Sequence, residues 1–279
     1  MVGGRGTPRV LVLDVGGTHV KAYLPGGRTE VKIPSGPSMG PREMVRELRR
    51  WLQGVRFDVV SLGYPGVVIH GRILREPHNL GEGWVGFDFG RALGRPTRIV
   101  NDAAMQALGS YRGGRMLFLG LGTGLGSAMI VEGKLEPMEL AHLPYKKGKS
   151  FEEFVGEAGL ERLGRKRWQK EVFEVVRTLT EVLEPEYVVL GGGNVRKLKA
   201  LPPGAREGDN RNALLGGLRL WAEGAPTDLA DGRTSSRRSG RRTGRHLFNP
   251  RRGSGGPRAA GGSPSPPPGR GTNGPAPRS

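Results

Sequence analysis

The sequence contains no cysteine, which excludes disulfides, thiolate nucleophiles and every cysteine-based zinc site. Any metal must therefore rest on oxygen or imidazole ligands. Aromatic residues make up only 6% of the chain, and no apolar run approaches the ~20 residues of a membrane span. The opening Met1-Val2-Gly3-Gly4-Arg5-Gly6 lacks the apolar stretch of a secretory leader, so a cytoplasmic protein with no membrane segment is expected.

Glycine, proline and positive charge are plentiful instead, at 49 Gly, 22 Pro and a net +18 in 279 residues. The charge is unevenly spread. Gly224 to Ser279 holds 11 Arg, no Lys and two acids, Asp228 and Asp231, and so carries +9. Its large apolar residues are only Leu229, Leu247 and Phe248, too few to offset the entropy of ordering a chain. Two readings suit it: a disordered Arg-rich arm, or translation of GC-rich DNA out of frame after the natural end of the domain. The expected organisation is a flexible 1–8, a folded domain over 9–223 and a disordered Arg/Gly/Pro-rich tail over 224–279.

Within the folded part, apolar runs of strand length alternate with amphipathic segments, an α/β pattern. Strands are predicted at Val10–Leu13, Val20–Leu24, Asp58–Leu62, Arg98–Val100 and Tyr187–Leu190, with a hairpin of Met116–Leu119 and Ala128–Val131. A helix is expected after Pro41, a short Ala-rich one after Asp102, and two more over about 151–163 and 168–183. The longer of these shows an apolar face of Val172, Phe173, Val176, Leu179 and Leu183. No internal period suggests a repeat architecture.

Three strands run directly into glycine turns: Asp14-Val15-Gly16-Gly17-Thr18, Gly120-Leu121-Gly122-Thr123-Gly124-Leu125-Gly126 and Gly191-Gly192-Gly193-Asn194. Glycine lets backbone N–H groups converge on an anion without side-chain obstruction. Neither the P-loop lysine nor the dinucleotide-binding spacing is present.

In this order the turns resemble those of the ROK family of sugar kinases and repressors, within the actin/hexokinase superfamily. Asp14 to Lys21 is similar to the first phosphate motif of that family and Gly122 to Ala128 to its second. Gly63-Tyr64-Pro65-Gly66, Pro77-His78-Asn79-Leu80 and Asn101-Asp102-Ala103-Ala104 recur between them. The resemblance spans about Arg9 to Trp221 and implies a two-lobed actin/hexokinase-like (ribonuclease H-like) α/β fold. ROK members commonly hold zinc on a histidine and several cysteines; here Glu139-Leu140-Ala141-His142 stands with no cysteine, so no zinc is expected. In this the chain resembles the polyphosphate-dependent glucokinases. The implied reaction is phosphorylation of glucose at its 6-hydroxyl by polyphosphate or ATP with Mg²⁺, in a homodimer. The alternative is an ATP-only hexose or N-acylhexosamine kinase.

Residue by residue, the resemblance makes Asp102 the general base that takes the proton of the attacking hydroxyl. Read only as local structure, Asp102 is an N-cap. Asn79, Asn101, Glu139 and His142 would hold the sugar, and each also has an ordinary reading as a turn, strand-end or surface residue. Asp14, Gly16, Gly17 and Thr18 would bind one phosphate and Gly122, Thr123 and Gly124 another, with Gly191, Gly192 and Gly193 beside the nucleotide. Asp14 would also orient Mg²⁺ through water. Lys146, Lys147, Lys149, Arg165, Lys166, Arg167 and Lys170 form either a polyanion track or a solvated surface.

The net charge also raises a basic nucleic-acid-binding protein. The domain carries only half the excess, shows no reader motif, and keeps its aromatics in the apolar pattern. No specific nucleic acid is therefore expected as a partner. ROK repressors place a helix-turn-helix before the kinase fold, whereas here the first phosphate strand begins about ten residues from the start.

Overall fold

Strand β1 (Val10–Val15) is an apolar run interrupted by Asp14 near its end, and its alternate side chains enter different cores. Val10 and Val12 pack with Val100, Ala104, Met116 and Phe118, whereas Leu11, Leu13 and Val15 pack with Leu48, Leu62, Tyr64 and Trp84. A strand buried on both faces has no need of polar alternation and belongs at the centre of a sheet. The computed structural model describes residues 7–24, 30–209 and 211–222. The expected tail over 224–279 lies outside the described residues, as does most of the flexible start.

β1 pairs antiparallel with β2 (His19–Tyr23), and β2 with β3 (Glu30–Pro34). On its other side β1 runs parallel to β4 (Val59–Tyr64). A ribbon of β5 (Val68–Ile69) and β6 (Arg72–Ile73) precedes β7 (Thr97–Asn101), which lies parallel to β4. Helix α1 (Pro41–Trp51), with proline in its first turn, buries Met44, Val45 and Leu48 against the outer face, and Phe89 of α2 (Phe89–Leu93) joins the same core.

The second sheet repeats this plan. β8 (Arg115–Leu121), β9 (Leu125–Val131) and β10 (Lys134–Met138) form the antiparallel meander, and β11 (Tyr187–Gly191) and β12 (Ala205–Glu207) the parallel pair. In each sheet the fifth strand leads into a helix, α3 (Asp102–Ser110) after β7 and α6 (Asn212–Arg219) after β12, and both helices join the core between the sheets. Their backbones touch. A Cβ at Gly109 would collide with the carbonyl of Asn212, and one at Gly216 with the carbonyl of Met105. This is the two-lobed actin/hexokinase-like arrangement.

The outer face of the second sheet is covered by α4 (Glu152–Val155) and α5 (Glu157–Leu183). Here the expected boundaries shift. The helix expected over 151–163 starts as the single turn of α4, and the helical path is broken again at Gly164, whose φ of 70° and ψ of 155° suit glycine. The buried face of α5 is Trp168, Val172, Val175, Val176 and Leu179; Phe173, expected on that face, turns toward a surface groove beside Pro202 and Pro203. Among the described residues no helix is long and apolar enough to cross a membrane.

Candidate active site

The first two glycine turns occupy equivalent places, each joining the first two strands of its sheet. The Gly16 N–H closes its turn on the carbonyl of His19 at 3.0 Å, and the Gly122 N–H on that of Gly124 at 3.1 Å. Ser35 fastens the first turn to β3, its hydroxyl donating to the Gly16 carbonyl at 2.6 Å and its N–H to the Thr18 carbonyl at 2.9 Å. The second and third turns are locked together. Gly192, at φ 87°, lies against the backbone of Leu121, and Asn194 Nδ2 donates both to the Gly122 carbonyl, at 3.0 Å, and to Glu157 Oε2. Gly122 and Gly193 face open space. Small residues here keep backbone amides within reach of a phosphate.

β7 ends on Asn101 and α3 begins at Asp102. The cap is Asn101: its Oδ1 accepts the Ala104 N–H at 3.1 Å, while its Nδ2 donates to the Gly66 carbonyl at 3.1 Å. The capping role considered for Asp102 thus belongs to its neighbour. Asp102 Oδ1 instead accepts the N–H of Ala103 at 2.8 Å. Burial, and after it the negative charge of Asp14, push the Asp102 carboxyl up to about 7. Asp14 is itself raised by burial, against the pull of Lys21 with Nζ at 3.8 Å. A carboxyl that titrates near neutrality can hold or release a proton at working pH. Replacing Asn101 by Ala should cost about 1 kcal/mol through loss of the cap, read as a lowered Tm.

Asn79 lies against the first turn, its Cβ 3.0 Å from where a side chain at Gly17 would begin. Glu139 is near enough to Asp102 to add to the rise of its pKa, and His142 Nε2 is 3.7 Å from Glu139 Oε1, with both side chains more than half exposed. Asp14 and Glu139, from two other segments, thus lie near enough to Asp102 to act on its charge.

Sequence reasoning missed Glu152. Its carboxylate accepts the Leu125 N–H of the second turn at 3.1 Å, and its own N–H donates to the carbonyl of Ala141 at 3.0 Å, tying that turn to the Glu139–His142 segment. The link spans 27 residues, and spacing alone carries no trace of it. Two lysines of the basic run lie beside acids. Lys146 pairs with Glu171 at 2.8 Å and Lys149 with Glu153 at 2.7 Å, which offsets their charge.

A cavity of about 400 Å³ opens beside the third turn, lined by Asp14, Lys21, Lys32, Gly191, Gly193 and Arg196 among others. Among the described residues no group of three or more acids and histidines could enclose a metal. Magnesium does not require one, since it keeps its waters and takes one or two carboxylates with phosphate oxygens, and Asp14 facing the cavity fits that chemistry.

No family model matches the chain. The polyphosphate glucokinase of Mycobacterium tuberculosis strain H37Rv is 29% identical over 209 residues, covering 66% of this chain and 77% of that one. Among solved structures, the inorganic polyphosphate/ATP-glucomannokinase of Arthrobacter sp. strain KM superposes with a TM-score of 0.64 at 23% identity, over 76% of this chain and 97% of that one. A ROK hexokinase from Thermus thermophilus does so with a TM-score of 0.58 at 22% identity, over 74% and 95%. Motif order, fold and these relatives agree: the chain is a sugar kinase that resembles the ROK family and, within it, the polyphosphate glucokinases.

Proposed function

We propose that this kinase phosphorylates glucose at the 6-hydroxyl, with polyphosphate or ATP as donor, and that Asp102 is the general base. The observation that carries the reading is the Asp102 carboxyl, held near 7 beside Asp14 at the start of α3. Asn79, Asn101, Glu139 and His142 offer the donors and acceptors that a sugar's hydroxyls require, and Glu152 of α4 ties the second turn to the Glu139–His142 segment. Because Asn101 is engaged once at each side-chain atom, it serves the sugar through the second lone pair of Oδ1 and the second N–H of Nδ2.

In the transfer, the sugar oxygen attacks the terminal phosphorus while its proton passes to Asp102. A new O–P bond forms, and the bridging P–O bond breaks with its electron pair leaving on the donor. Gly16, Gly17 and Thr18 cradle one phosphate, Gly122, Thr123 and Gly124 the next, and Gly191, Gly192 and Gly193 border the rest of the donor. Asp14 would hold Mg²⁺ through water, and the bound ion would neutralise charge on the phosphates. The chain's own part is positioning and removal of one proton.

The deciding experiment is a donor panel of ATP, GTP and polyphosphate with glucose and Mg²⁺. Glucose 6-phosphate is expected with polyphosphate or ATP, and its formation should cease when Mg²⁺ is chelated. Elemental analysis should find less than one equivalent of zinc. Turnover of N-acetylmannosamine in preference to glucose would replace the sugar in this reading, and activity with neither ATP nor polyphosphate would reject it.

A further inference from the structure

The cavity beside the third turn does not stand alone. A second hollow, of about 540 Å³, shares Glu207, Gly208, Asp209 and Asn212 with it as lining residues, and four arginines line this second space: Arg112, Arg206, Arg211 and Arg219. Two of them are committed. Arg219 donates to the carbonyls of Leu108 and Tyr111, and Arg211 forks onto Asp209 at 3.0 and 3.2 Å. The other two are organised around one ring. Arg206 stacks on Tyr187, its guanidinium carbon 4.8 Å from the ring centroid, and the Tyr187 hydroxyl accepts the backbone N–H of Arg112 at 3.0 Å. Stacking occupies the flat face of a guanidinium and leaves its N–H edge for oxyanions.

We infer that a long polyphosphate donor runs from the glycine turns past Arg196 into this second hollow, where Arg112 and Arg206 hold its distal phosphates. The inference rests on the kinase reading above and moves the track away from Lys146 and Lys149. Those lysines are already paired with Glu171 and Glu153, whereas Arg112 and Arg206 border a space that shares Glu207, Gly208, Asp209 and Asn212 with the donor cavity. Chemistry matches the path. A polyphosphate carries charge on every unit, so it gains from cations set along its length, while a nucleotide's charge ends at its phosphates. Glu207 and Asp209 on the rim oppose the anion, and Arg211 offsets Asp209.

The test compares wild type, Arg112→Ala/Arg206→Ala and Lys146→Ala/Lys149→Ala, with glucose and either long-chain polyphosphate, tripolyphosphate or ATP. The arginine variant should raise KM for the long chain about tenfold, equivalent to about 1.4 kcal/mol, with kcat and both short donors unchanged. The lysine variant should behave as wild type. The long-chain effect should shrink as salt rises, because exposed charges are screened over ~8–10 Å. Equal rises for ATP and long polyphosphate, or no rise at all, would overturn the track, as would a wild type that uses ATP and does not bind polyphosphate.

Equilibrium binding of long polyphosphate to the same variants keeps the two readings separate. If no donor phosphorylates any sugar, the kinase reading fails, and loss of binding in the arginine variant still supports the track, while undiminished binding rejects it. An oligonucleotide of equal charge that binds as tightly as polyphosphate makes the surface a nucleic-acid site and also rejects it. Arg112→Gln/Arg206→Gln replaces the alanine variant should that one not fold.

Discussion

Asp102→Asn should lower kcat by about 10²–10⁴-fold while glucose still binds, the range spanned by general bases. Asn keeps the shape and can still accept the Ala103 N–H, so only the proton acceptor is lost. A loss of tenfold or less would remove Asp102 from the reaction. The pH profile provides an independent reading. The carboxyl is raised to about 7, and the base is its ionised form, so kcat/KM should fall as pH drops through about 7. Saturating Mg²⁺ should move that inflection lower, since a cation at Asp14 cancels the charge that helps to raise Asp102. Stability should move the other way. A carboxyl whose folded pKa lies above its unfolded value stabilises the fold fully below the unfolded pKa, and that contribution is lost as pH rises through about 7. The Asn variant should thus melt no lower than wild type, with an advantage that widens as pH rises from about 4 to about 7 and stays level above that.

Ending the chain after Arg211 should abolish the soluble fold, whereas ending it after Ala222 should leave activity intact. α6 fills the space between the sheets: Ala213 and Leu220 are buried there, and the backbone lies against α3. The chain just beyond it is also tied down. Trp221 Nε1 donates to Ser61 Oγ at 3.0 Å, Ser61 Oγ donates to the Gly217 carbonyl at 2.6 Å, and Arg98 lies over the Trp221 ring at 4.2 Å. Losing one buried leucine side chain costs about 2–5 kcal/mol, so losing the whole helix exceeds the stability of an ordinary domain. Gly216→Val is the milder probe. The new side chain meets the Met105 carbonyl, and overpacking of this kind costs about 1–3 kcal/mol, readable by urea denaturation. Unchanged stability in that variant would mean that the two helices do not touch.

Much of the scaffold was legible because its strands are buried on both faces. Runs such as Val10–Leu13 and Tyr187–Leu190 have few other places to go, and the glycine turns that follow them mark where the backbone must stay bare. Contacts between distant segments were not legible. The sequence leaves Lys146 as either a polyanion track or a solvated surface and does not show the Glu171 beside it, and the capping alternative for Asp102 goes only once Asn101 is seen to take that place. The architectural repeat left no sequence period, because equivalent strands share only burial, and many apolar side chains satisfy burial equally well. Glu152 went unnoticed for the same reason as Lys146: its partner Leu125 is close only in the fold.

The repeated sheet plan gives Asp102 a counterpart. In one half the residues after the fifth strand lead through Asp102 into α3; in the other they lead through Asp209 toward α6. The two carboxyls have opposite fates. Arg211 hydrogen-bonds Asp209 and holds it down at about 2, a permanent anion, while burial beside a second acid leaves Asp102 near 7. One building plan, used twice, thus yields a spectator and an acid–base group. Their difference in acidity comes first from burial, which Asp102 has and Asp209 lacks, and then from what each half sets beside them: an arginine two residues on, or the aspartate at the end of β1.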